Sequence, residues 1–217
     1  GLHRYEGIRL KNIEIKHLDR IDFSVAWGRM KQFTDKRSEA DLDEVWFAEH
    51  DPVYTLGHAA SEENILFNND IPVVRTDRGG QVTYHGPGQL MIYFLINLKR
   101  LGWGPKRFIC ELENIIISLL LKYEIKAERK GGAPGIYVAG KKIASIGLKI
   151  KRGLCYHGIS LNIDMDLTPF NGIVTCGIES LDVVQVTDFT DITMNQIKKD
   201  LTAVSYTHLR AHETINH

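Results

Sequence analysis

The run Leu90-Met91-Ile92-Tyr93-Phe94-Leu95-Ile96 is apolar on both faces of any strand it could form. Such a strand belongs deep in a sheet that is covered on both sides. Directly before it stands Arg78-Gly79-Gly80-Gln81-Val82-Thr83-Tyr84-His85-Gly86-Pro87-Gly88-Gln89, preceded in turn by the apolar run Ile71–Val74. Gly79-Gly80 lets the backbone take positive φ and approach a ligand closely. Val82, Thr83 and Tyr84 are strand formers, so a short strand follows the glycine pair. Gly86-Pro87-Gly88 then turns the chain, since proline fixes φ and the glycines absorb the strain. A polar, glycine-rich loop is therefore clamped between buried strands. A tight connection would need only the glycines; Arg78, Gln81, Tyr84 and His85 in the same loop argue for a binding site.

The 217 residues suit one domain with a sizeable core. Lys plus Arg and Asp plus Glu number 27 each, which argues against a nucleic-acid binder held by bulk charge and leaves open only a local basic patch. No stretch approaches 18 consecutive apolar residues, so no membrane span is expected. Gly1-Leu2-His3-Arg4-Tyr5 lacks a signal-peptide pattern and has no Met, so the native start is expected to be missing. Cys110, Cys155 and Cys176 form no CxxC pair, which points to a reducing compartment, the cytoplasm, rather than a disulfide framework. No HExxH occurs, and the HxxxH spacing of His208 and His212 falls in the C-terminal tail, so no metal site is expected.

Along the chain, Ile8–Ile15 reads as a first strand. Ile21–Lys36 reads as an amphipathic helix carrying Phe23, Ala26, Trp27, Met30 and Phe33. Glu44–Glu49 and Val53–Leu56 read as strands separated at Pro52. Gly104-Pro105 opens a helix whose face is Phe108, Leu112, Ile115, Leu119 and Tyr123. A secondary stripe, Cys110, Ile117 and Leu121, widens its apolar arc, and Cys110 is expected to pack in the core. A second glycine-rich loop, Gly131-Gly132-Ala133-Pro134-Gly135, precedes a hairpin of Ile136–Val138 and Ile143–Ile150 around Ala139-Gly140-Lys141-Lys142. Leu154–Ile163 is a further strand, 166–173 a loop, and 191–203 a last helix. These elements predict an α/β (α+β) protein with a mixed central sheet and packed helices.

Cys176 precedes Gly177 in a loop, which leaves its sulfur accessible. A lone Cys-Gly is ordinarily structural, and a thiol nucleophile needs an activator. Alternation from Lys142 runs through Ala144, Ile146, Leu148 and Ile150, an apolar face, while Lys141 and Lys149 fall on the polar one. Lys142 is therefore the lysine at the rim of a buried face, where a desolvated amine can move protons. By itself this segment reads more readily as an ordinary turn lysine reaching solvent.

RGGQVTYHGPGQL closely resembles the signature of the octanoyltransferases of lipoate biosynthesis. GAPGIYVAGKKIASIGLKIKRG, YHGISLNIDMDLTPF and TCGI resemble that family's remaining blocks in the same order, and EHDPVYTLG an earlier one. The resemblance covers about residues 6–190. It implies the catalytic-domain fold of the biotinyl/lipoyl protein ligases. It also implies transfer of an octanoyl group from octanoyl-acyl carrier protein to a lysine of lipoyl domains in 2-oxoacid dehydrogenases and the glycine cleavage H protein. The cysteine of TCGI matches the acyl-carrying nucleophile, Cys176, and the second lysine of GKKIASIG the catalytic lysine, Lys142, 176 − 142 = 34 positions earlier. Substrate contacts are implied for Arg78, Gly79, Gly80, Gln81, Val82, Thr83, Tyr84, His85, Ser145, Ile146, Gly147, Gly158, Ile159 and Ser160. His85 ranks above His157 as a site-lining residue, and Cys155 is read as packing. The glycine loops would supply backbone N–H groups, with Gly177 in an oxyanion hole. No cofactor is implied, and a monomer is expected.

Two rivals share parts of this pattern. An ATP-dependent lipoate or biotin ligase of the same fold has no use for a thiol nucleophile, and a non-catalytic acyl-binding relative needs neither Cys176 nor Lys142. The departures from the family pattern lie at the ends. Residues 1–203 read as one catalytic domain, whereas 204–217, containing VSYTHLRAHET, resemble a translated sequencing adapter and read as a non-native tail.

Overall fold

The computed structural model describes residues 13–174 and 182–210. In chain order it has strand β1 (Ile13–Arg20), helix α1 (Phe23–Lys36), β2 (Asp43–Glu49), β3 (Val53–Leu56), β4 (Val73–Arg75), β5 (Val82–His85) and β6 (Gln89–Asn97). There follow helix α2 (Pro105–Lys122), β7 (Glu128–Lys130), β8 (Ala133–Val138), β9 (Lys141–Lys151), β10 (Leu154–Asn162) and helix α3 (Met194–Arg210). Seven strands form one sheet in the order β1-β2-β6-β10-β9-β8-β7, and β4-β3-β5 form a second, smaller sheet. The β1–β2 pair is parallel and its neighbours antiparallel, so the central sheet is mixed.

The two-faced apolar run is the middle of that sheet. Every residue of β6 is buried. Phe47, Leu90, Ile92, Phe94 and Ile96 turn to one face, where α2 adds Phe108, Leu112, Ile115 and Leu119 and α3 adds Ile197 and Leu201. Trp46, Met91, Tyr93 and Leu95 turn to the other, against Ala26 and Met30 of α1. A fully buried side chain of this size contributes roughly 1.5–3 kcal/mol, so β6 is the energetic spine of the domain. Helix α1 starts where Asp22 accepts a hydrogen bond from the Val25 amide (3.2 Å), and α2 starts on Pro105 after Gly104.

Several expectations need correction. The first strand runs to Arg20 rather than ending at Ile15, and residues 8–12 lie outside the described part. Cys110 is exposed and Leu121 is 64% exposed. Helix α2 lies on the sheet through its Phe108–Leu112–Ile115–Leu119 face; behind that face Ile117 is partly buried against the core, while Cys110 and Leu121 are left to solvent. Cys110 Sγ meets the Arg129 guanidinium there instead of core. Cys155, by contrast, is buried in the main core, as expected. The last helix continues past Ala203 to Arg210, with Val204, Tyr206 and Leu209 buried. His208 meets Glu111 (3.2 Å) and Ser118 (3.3 Å) of α2, and His212 lies outside the described residues.

Candidate active site

The face of the sheet that carries α1 is not filled along β9 and β10. Ser145 on β9 lies beside Ser160 on β10, which lies beside Met91 on β6. The next row on this face is Gly147, Gly158 and Tyr93. Serines and glycines where a core would place large side chains leave a cavity of about 370 Å³. The Arg78 loop roofs it: the Gly79 amide donates to the Leu148 carbonyl (2.8 Å), and a Cβ on Gly147 would stand 2.9 Å from Gly79 O. Phe23, Met91 and Tyr93 add apolar wall.

Lys142 reaches this cavity by a route that simple alternation does not give. Ala144 packs in the main core on the helix-covered side, with Ile146 and Leu148 against it, whereas Ser145 and Gly147 floor the cavity. Strict alternation would therefore put Lys142 with the helices. Between β8 and β9 the register shifts: Ile136 pairs with Ala144 but Tyr137 pairs with Lys142. The extra residue, Ile143, turns into the core at 0% exposure, and Lys142 turns to the cavity. The face named from the sequence was thus wrong, although Lys142 is partly buried at the cavity wall. Gly135 makes room for it, since a Cβ there would lie 2.7 Å from Lys142 Cε. Burial, and then the charge of Arg78, push the Lys142 amine down to about 8.

Arg78 is buried, and its guanidinium donates to the carbonyls of Gly79 (2.9 Å), Thr55 (3.0 Å) and Gln81 (2.9 Å) and to Thr55 Oγ1 (2.8 Å). These partners are neutral oxygens, and among the described residues no carboxylate pairs with it. The cavity wall therefore carries a positive charge in a low-dielectric setting, suited to developing negative charge on a substrate or thiol. Burial lowers even this guanidinium to about 10.

His85 is held between Gln89 (2.9 Å) and Thr55 (3.1 Å) and stacks on Phe23. Burial, with His50 and Arg78 nearby, pushes it down to about 3, so it is neutral across the physiological range. His157 meets Asp77 at 2.7 Å, and Asp77 also accepts from Trp27 (2.9 Å) and from the Tyr156 hydroxyl. Burial alone would raise the Asp77 carboxyl, but the bonds from His157 and Tyr156 hold it well below the usual carboxylate range.

Of the residues singled out in the sequence, Arg78, Gly80, Gln81, Val82, Thr83, His85, Lys142, Ser145, Ile146, Gly147, Gly158, Ile159 and Ser160 line this one cavity. Gly79 and Tyr84 are not among its lining. Gly79 spends its amide on β9, and Tyr84 packs between Tyr54 and Phe170 under the small sheet. Cys176 and Gly177 lie outside the described residues. His157 lines the cavity with His85, and so do Tyr137, Met91 and Phe23, which sequence reasoning missed. Met91 and Tyr93 were legible only as core, and Phe23 only as one position on a helix stripe. Among the described residues no group of three or more His, Cys, Asp or Glu could hold a metal ion.

The fold, a mixed sheet with α2 and α3 on one face and α1 beside the cavity on the other, is shared by solved lipoate and biotin protein ligases. Lipoate-protein ligase A bound with ATP superposes with a TM-score of 0.77 at 16% identity, over 92% of this chain and 86% of that one. The biotin protein ligase of Aquifex aeolicus with biotin and ATP gives 0.56 at 12% identity, over 92% and 71%. The model of the lipoyl protein ligase A/B catalytic domain matches residues 22–204, and the chain belongs to that family. Within the family it is similar to octanoyltransferases. That of Vesicomyosocius okutanii is 53% identical over 194 residues, 88% of this chain and 95% of the relative. That of Chromobacterium violaceum is 51% identical over 172 residues, 79% and 83% of the two chains.

Proposed function

We propose that the protein is an acyltransferase that moves an octanoyl group onto a lysine of a lipoyl domain through a thioester on Cys176. Its relatives' activity supports the transfer, and the Lys142 amine, brought to about 8 at the cavity wall beside Arg78, carries the mechanism. The resemblance at TCGI supports Cys176 as the nucleophile, and the described chain returns to Lys142 after it. Val174, two positions before it, donates to Asn64 O (2.8 Å). Asp182, six positions after it, accepts from the Lys142 amide (2.9 Å).

In the first half-reaction the Cys176 thiolate attacks the thioester carbonyl of octanoyl-acyl carrier protein. The carrier's C–S bond breaks, and the carrier thiol leaves with a proton. In the second, the acceptor lysine attacks the octanoyl-enzyme, the amide forms, and Cys176 sulfur leaves. Lys142 takes the thiol proton in the first step and the amine proton in the second, so the pair titrates as a unit before acylation. Arg78 favours the thiolate and the oxyanion. The apolar walls from Phe23, Met91 and Ile159 suit an eight-carbon chain. The thioester is already activated, so no ATP or other cofactor enters. The acceptors are lipoyl domains of 2-oxoacid dehydrogenases and the glycine cleavage H protein, served by a monomer in the cytoplasm. No helix among the described residues is long and apolar enough to cross a membrane.

Intact-protein mass spectrometry after incubation with octanoyl-acyl carrier protein tests this. One hydroxylamine-sensitive octanoyl group is expected, absent from Cys176→Ser, which should also lose turnover. Full transfer activity from a wild type that is never acylated would refute the scheme.

A further inference from the structure

A buried polar chain passes beneath the cavity and ends at the main chain that brackets Lys142. Arg78 Nη2 donates to Thr55 Oγ1 (2.8 Å), and Thr55 Oγ1 lies 3.1 Å from His85 Nε2. His85 Nδ1 lies 2.9 Å from Gln89 Oε1. Gln89 Nε2 donates to Asn162 Oδ1 (3.0 Å), and Asn162 Nδ2 donates to Val184 O (3.1 Å). Val184 in turn donates its amide to Lys142 O at 2.9 Å, and Lys142 donates its own to Asp182 O. Thr55, His85, Gln89 and Asn162 are each no more than 4% exposed.

Every link has a fixed direction. Gln89 Nε2 also donates to Tyr84 O (3.0 Å), so its Oε1 must face His85 and can only accept. His85 therefore carries its proton on Nδ1 and accepts at Nε2 from the Thr55 hydroxyl. All five donors point one way, from the guanidinium to the Val184 carbonyl, and such chains strengthen by mutual polarisation. The segment re-enters the fold with Val184 and Val186 in the core, and the donor chain ends on the one Val184 carbonyl whose own amide pairs with Lys142. Lys142 and Val183 form an isolated bridge, not part of a strand. That short contact is what the Asn162 carboxamide reinforces.

We propose that Gln89 and Asn162 are positioning residues that clamp Asp182–Val184 to Lys142, fixing the lysine's backbone and the exit of the segment bearing Cys176. The inference rests on the reading of Lys142 and Cys176 as the reacting pair. Asn162→Asp keeps the acceptor for Gln89 but has no donor for Val184, and Asn162→Ser is too short to reach it. In both, kcat for octanoyl transfer should fall about 100-fold, the cost of misplacing a reacting group by about an ångström. KM for the octanoyl donor should stay within about twofold, because the cavity lining is untouched. Hydrogen exchange at the Lys142 and Val184 amides should quicken at least about tenfold. Wild-type kcat and exchange in either folded variant would overturn the proposal, as would a raised KM with unchanged kcat. Failure of both variants to fold would also overturn it, since the carboxamide would then serve the fold. A wild type that takes no octanoyl group would defeat the functional reading instead, and amide exchange would still decide the clamp.

Discussion

Burial takes the Lys142 amine toward its neutral form, and Arg78 acts in the same direction. Before acylation a thiolate nearby would oppose both, so the lysine's own titration is best seen in the octanoyl-enzyme, where the sulfur carries no charge. There the neutral amine accumulates as pH rises through about 8. The rate of acyl transfer from preformed octanoyl-enzyme to the acceptor should climb with pH to a plateau above that value. A pH-independent single-turnover rate between pH 6.5 and 9 would remove Lys142 from the second step. Lys142→Ala should cost on the order of 10²–10⁴-fold, the usual contribution of a positioned acid–base group. Lys141, exposed and one position away, pairs with Val138 at the hairpin end, and Lys141→Ala should be nearly silent in the same assay.

At the scale of elements, the site depends on an irregularity in the β8–β9 ladder and on the glycine that accommodates it. Gly135 has φ +125, and a Cβ there would lie 2.7 Å from both Lys142 Cε and the Ala144 carbonyl. Gly135→Ala should destabilise the fold by roughly 1–3 kcal/mol through backbone strain. It should also cut turnover about 100-fold by displacing the amine. Denaturant melts and turnover of the same preparation check this, and an active, stable Gly135→Ala would mean the amine does not need that space. The strands themselves were legible: β2, β3, β5, β6 and β10 fall within a residue or two of the apolar runs that announced them. The bulge was not, because Lys142-Ile143-Ala144 reads as plain alternation and only the partner strand reveals the inserted residue. Strand order was equally hidden, as was the pairing of β3 with β5 in a separate sheet, since both are long-range choices. Arg78, Ser145 and Gly158 could be found because each matches a substrate contact in a recognisable block, whereas Phe23 lies outside the blocks and Asn162, though inside one, matches no contact, and both acquire meaning only from what they touch.

At the scale of the whole molecule, residues from four segments converge on one buried polar wall, and that wall sets how the fold responds to acid. His50 lies 6.4 Å from His85 between ring centroids, and Phe23 contacts both rings. His157 stands farther along the same cavity, beside Asp77. Burial pushes all three histidines below their ordinary value, His85 to about 3. A histidine with a folded pKa below 6.5 binds fewer protons folded than unfolded, so stability falls as pH drops below that value. Asp77 acts in the same direction but in a lower window: its folded pKa is depressed, so its contribution is intact above the unfolded carboxylate range and is lost only below it. Between pH 7 and 5 the histidines therefore dominate these terms. The urea midpoint should drop over that interval, and His85→Gln, which cannot take up the proton, should flatten the dependence whatever its effect at pH 7. A midpoint unchanged from pH 7 to 5 would contradict the neutral, buried state of His85. That state is also what lets His85 accept from Thr55 while donating to Gln89. Protonation would supply a second donor where an acceptor is needed, so acid that costs stability should break the donor chain to Val184 as well.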